Sequence, residues 1–138
     1  MSMSLFVVLA LEIEPNTREL NQTANELGYL IEYSPNIELK KHSGFIPVTL
    51  DGQKAGVELY SYSTNELPEQ FKTLLPNNYK QGVVYQFRFG GNPKEAQVAF
   101  TSAIIINTKY NGVAIEDQSG ALLSVEQLAE ALPYFSAM

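Results

Sequence analysis

The chain contains no cysteine and a single histidine, His42. The first absence removes disulfides, thiol catalysis and thiolate zinc sites, and the second removes any multi-histidine metal centre within one chain. Basic residues are scarce too. Nine Lys and Arg stand against fifteen Asp and Glu, a formal net charge of −6. Attraction to a phosphate backbone needs clustered Lys and Arg, and only Lys40 and Lys41 are adjacent, so nucleic acid is not an expected partner. Long hydrophobic runs are also missing. Leu5 to Leu11 is apolar, but no Lys or Arg precedes it, no small-residue cleavage site follows, and Glu12 and Glu14 close it. A run that short cannot span a bilayer, and its flanks are wrong for a signal segment. A cytoplasmic protein without membrane contact is the expectation. Repeats and low-complexity tracts are absent, and no cofactor is expected.

What remains is ordinary globular material. At 138 residues and 45% hydrophobic, the chain has the size and composition of one domain, 1–138, with a core that needs no cross-link. Leu5–Ile13 is apolar on both alternating faces, with Leu5, Val7 and Leu9 on one and Phe6, Val8 and Ala10 on the other. Such a strand is covered on both sides. Asn16 with Glu19 has capping-box spacing, Leu20, Ala24 and Leu27 recur at helical spacing, and Gly28 stops that helix. Leu30–Tyr33 reads as a short strand and Asn36–Ser43 as a polar loop. Phe45–Leu50, Asp51-Gly52 and Ala55–Tyr62 then read as a hairpin with a type I′ turn. Pro47 moves its first arm toward a sheet edge.

Thr64 to Pro76 reads as a short helix whose buried side is Phe71, Leu74 and Leu75. Residues 82–117 form a strand–helix–strand unit expected at the centre of the core. Asn92, Pro93 and Glu95 start its helix, Ala96, Ala99, Ala103 and Ile106 form the packing stripe, and Asn111-Gly112 ends it. After Val113–Asp117 come a turn, a short extended piece at Ala121–Leu123, and a last helix capped by Ser124 with Gln127. The predicted class is α+β: one sheet of about five strands, mostly antiparallel, with helices mainly on one face, in a ferredoxin-like or related split arrangement.

Few residues carry chemistry. Gly90-Gly91-Asn92-Pro93 lies where a helix N-terminus could cradle an anion, but phosphate-loop spacing is absent and Pro93 removes a donor, so a tight turn is the plainer reading. His42 could serve as a base, yet no nucleophile motif accompanies it, and an exposed loop position is the plainer reading. Strand parity is more informative. With Val57, Leu59, Phe87, Phe89, Val113 and Ile115 toward the core, Glu58, Arg88 and Glu116 share the opposite face. Cross-strand ion pairs are expected there, each worth about 0.2–1 kcal/mol. Glu12, Tyr60, Tyr62 and Gln86 join them, beside Phe6 and Val8. Tyrosines and an arginine ringed by acids match the composition of an interface. The competing reading is that residues 67–75 or 124–135 cover part of that face.

Several segments together carry a resemblance: Gly44-Phe45-Ile46-Pro47-Val48, Gly56-Val57-Glu58-Leu59-Tyr60, Phe87-Arg88-Phe89-Gly90-Gly91 with Glu95, Asn111-Gly112-Val113, Glu116-Asp117-Gln118, Gly120 and the Leu123-Ser124-Val125-Glu126-Gln127 helix start. From residue 44 onward the chain resembles small bacterial α+β proteins of unassigned function, including immunity proteins encoded beside secreted antibacterial toxins. The resemblance implies a non-enzymatic module that binds a protein, a basic toxin domain among the candidates; it assigns no binding residue, and the candidates Glu58, Tyr60, Tyr62, Gln86, Arg88 and Glu116 come from strand parity and composition. Two alternatives stay open. One is a small hydrolase or small-molecule binder using Glu58, Arg88, Glu116 and His42. The other is a self-associating subunit whose open sheet face forms a two-fold homodimer.

Overall fold

A computed structural model of the chain describes residues 2–10 and 13–136. Leu11 and Glu12, which the alternation assigns to the first strand and its open face, lie outside the described residues. The elements in order are β1 (Met3–Leu9), α1 (Thr17–Leu27), β2 (Ile31–Tyr33), β3 (Gly44–Leu50), β4 (Gln53–Ser63), α2 (Glu69–Lys72), β5 (Val83–Phe89), α3 (Pro93–Tyr110), β6 (Val113–Glu116), β7 (Ala121–Leu123) and α4 (Val125–Ser136). No described helix is long and apolar enough to cross a membrane.

The seven strands form one sheet in the order β2-β3-β4-β5-β1-β6-β7, and every neighbouring pair is antiparallel. The expected class holds, but the strand count is seven and not about five. Both edge strands are only three residues long, too short to carry a clear alternation. β1, apolar on both faces, sits between β5 and β6. The β5–α3–β6 unit therefore straddles β1, and its own β5 is the central strand of the seven, as expected of residues 82–117.

Local chemistry sets most element ends. Asn16 accepts from the Glu19 amide at 2.9 Å, and Gly28 closes α1 at φ 82°. Asp51 and Gly52 both have positive φ, as the type I′ turn requires. Asn111 ends α3 in the left-handed region. Ser124 and Gln127 form a reciprocal box at α4, at 2.8 and 3.1 Å. At α3, Asn92 caps the Lys94 amide, while Glu95 reaches back to the Gly90 amide and not to Asn92. Pro47 lies on the half of β3 that β2 does not pair, since β2 meets only residues 48–50.

One face of the sheet carries Leu5, Val7, Leu9, Val57, Leu59, Tyr85 and Phe87 against the helices. Each such side chain contributes about 1.5–3 kcal/mol when fully buried. α3 is buried all round from Val98 to Asn107, not only along its alanine stripe. The reason is α4, which covers its outer side and brings Phe135 within 4.8 Å of Phe100.

The segment expected as one helix over 64–76 is instead a chain of short turns, a 3-10 turn at Thr64–Glu66 followed by a single α-helical turn at Glu69–Lys72. Pro68 and Pro76 interrupt it. It lies across the second face of the sheet, where Leu67, Phe71, Leu75 and Tyr79 cover Phe6, Val8, Val84 and Ile115. Leu74, expected inside, is 38% exposed.

Candidate functional site

The segment 64–79 covers only part of that second face. Register shows what remains. Phe45 lies opposite Glu58, Glu58 opposite Arg88, and Arg88 opposite Ser4. In the next row Tyr60 lies opposite Gln86, and Gln86 opposite Phe6. Cross-strand partners share a face. Glu58, Tyr60, Gln86, Arg88 and Tyr62 therefore stand together, as parity predicts. Arg88 is exposed, and Glu58, Tyr60, Tyr62 and Gln86 are half-buried.

The polar side chains are held by one another. Tyr60 donates to Glu58 at 2.6 Å, Tyr62 donates to Gln86 at 2.8 Å, and Gln86 donates to Ser4 at 2.8 Å. The bond to Glu58 keeps the Tyr60 phenol protonated above its ordinary range, burial and the Glu58 charge add to this, and Arg88 opposes it. Burial, helped by the Glu66 carboxylate, pushes Tyr62 up to about 12. Both phenols are neutral donors at neutral pH, which suits recognition better than nucleophilic chemistry.

Glu116 does not belong to this face. It pairs opposite Leu5, so it lies on the helix side, and its carboxylate accepts from the Gln118 and Ser119 amides and the Ser119 hydroxyl. It holds the β6–β7 turn. Val113 and Ile115, expected with Val57 and Phe87, face the other way, opposite Val8 and Phe6. Both faces are apolar here, and a four-residue strand between them has no parity that sequence can fix.

The expected ion pairs also fail to form. Among the described residues the salt bridges are Lys40–Glu14, Lys41–Glu38 and Lys72–Glu69. Glu58 and Arg88 are neighbours without one. His42 bonds the Phe45 carbonyl through Nε2 at 3.0 Å and makes no bond to Glu58, Arg88 or Glu116. The four groups needed for hydrolysis thus do not converge. The Gly90–Pro93 segment is a turn whose amide at Gly90 is already taken by Glu95.

Phe45 is the residue that sequence reasoning missed. It is 55% exposed, and its ring lies over the backbone of Gly56, filling the space where a side chain would be. Exposed Pro47 lies beside it, and a groove of about 630 Å³ opens along this edge between Phe45 and Lys54. The signal was present. A two-residue turn pairs Leu50 with Gln53, and counting back along the hairpin puts Phe45 opposite Glu58.

Comparison with protein-family models, with curated proteins and with solved structures finds no match.

Proposed function

We propose that this chain is a protein-binding module that docks through the uncovered half of its second sheet face, and that its partner is a basic toxin domain which it neutralises. The observation that carries this reading is the exposed Phe45 and Arg88 flanking Glu58 and Tyr60 on a rigid sheet. Aromatic and arginine side chains dominate the energetics of protein interfaces. The Tyr60–Glu58 and Tyr62–Gln86–Ser4 bonds fix these groups before contact, so little side-chain freedom is lost on docking. The net charge of −6 favours encounter with a basic protein. The immunity-protein resemblance, which runs through Phe45, Glu58, Tyr60 and Arg88, supports the same partner class.

Affinity capture from the native host, comparing the wild type with Arg88→Glu and Phe45→Ala, tests the proposal. The expected result is recovery of a basic toxin whose action the wild type blocks, with each substitution weakening binding at least about tenfold. Recovery of no toxin, or of one held equally well by both variants, overturns it.

A further inference from the structure

On β2 to β5 the charged side chains of the uncovered face are Glu32, Lys54, Glu58 and Arg88: Glu32 and Lys54 each pair opposite Thr49, and Glu58 opposite Arg88. Two acids and two bases cancel, although the whole chain carries −6. The strands themselves thus bring no net charge to this face of an acidic molecule, with Glu66 at its margin beside Tyr62, and none of the four strand charges has an ion-pair partner among the described residues.

We infer that this face is self-complementary and seats a second copy of the chain, about a two-fold axis lying in the interface, parallel to the strands, between β4 and β5. The inference rests on the reading of this face as a docking surface. Two sheets that meet face to face under a two-fold rotation must have the axis in their common plane. Placed midway between Glu58 and Arg88, that axis sets Glu58 of each copy over Arg88 of the other and forms two equivalent ion pairs. It sets Tyr60 over Gln86 of the second copy. It also brings β3 of each copy, with the Phe45 ring lying along Gly56, over β1 of the other. These strands, whose charges cancel, are where two molecules of charge −6 approach with the least repulsion. A toxin docking on the same face displaces the second copy, so the dimer is the resting state.

Sedimentation equilibrium on the wild-type chain, Glu58→Arg and Arg88→Glu tests this. The wild type is expected to dimerise at concentrations on the order of 1–500 μM, where modest specific interfaces are populated. Each single charge reversal faces like charges twice per dimer and weakens association at least about tenfold. An equimolar mixture of the two variants restores both ion pairs and yields heterodimer. A wild type monomeric throughout, dimers indifferent to the reversals, or a mixture that fails to recover overturns the inference. Toxin capture by a strictly monomeric wild type would end the dimer alone, whereas dimers without any toxin partner would end the toxin reading alone.

Discussion

Tyrosine carries much of the polar interior. The Tyr33 hydroxyl meets Ser102 at 2.6 Å with both groups buried. Tyr85 donates to the Ile13 carbonyl at 3.1 Å, and Tyr110 donates to Glu19. Burial raises all three phenols above their ordinary range, and Tyr62 reaches about 12. A phenol whose folded pKa exceeds its unfolded value stabilises the fold fully below about pH 10. That contribution is lost as pH rises through the folded value. Unfolding midpoints in urea are therefore expected to drop between about pH 10 and 12, with phenolate absorbance appearing together with unfolding. Tyr33→Phe leaves the Ser102 hydroxyl without its partner and should cost about 1–3 kcal/mol in the same assay. Sequence could place Tyr60 and Tyr62 on one face, because β4 is long and alternates cleanly. Nothing in it announced the Tyr33–Ser102 bond, which joins residues 69 positions apart.

At the scale of elements, capping chemistry was legible and packing was not. Asn16, Asp51-Gly52, Asn111 and Ser124 mark ends that depend on a few adjacent residues, so local sequence suffices for them. The segment 64–79 depends on what it covers. Its turns are held by apolar contact with β1, β5 and β6, including Phe6 and Phe71 with ring centroids 5.3 Å apart. Phe71→Ala is expected to weaken this small second core by about 3–5 kcal/mol. Amide exchange should then show early opening across 67–79, while β1 and β5 retain protection. Equal loss of protection throughout would mean that the segment and the sheet unfold as one unit. The edge strand β2 has its own staple. Asn21 bonds both the amide and the carbonyl of Tyr33, at 2.7 and 3.1 Å, and so stands in for a further strand at that point.

For the whole molecule, charge and shape act at different ranges. In the proposed binding mode the excess of acidic groups acts at a distance and governs encounter, while the uncovered face acts at contact. Association with the proposed basic partner should slow severalfold between about 0.05 and 0.5 M salt, with dissociation changing much less. Stopped-flow measurement of both rates checks this, and equal effects on the two would place charged groups at the centre of the interface. Sequence alone determined the α+β class, the capped ends of α1, α3 and α4, the tight hairpin and the side on which Glu58, Tyr60 and Arg88 stand, because alternation and turn chemistry are encoded within a few residues. Tertiary structure alone decided the strand order, the facing of Val113 and Ile115, the withdrawal of Glu116 and the exposure of Phe45. Each of these depends on which apolar surfaces meet across the sheet, and β6, short and greasy on both sides, pairs to suit its neighbours and not its own pattern.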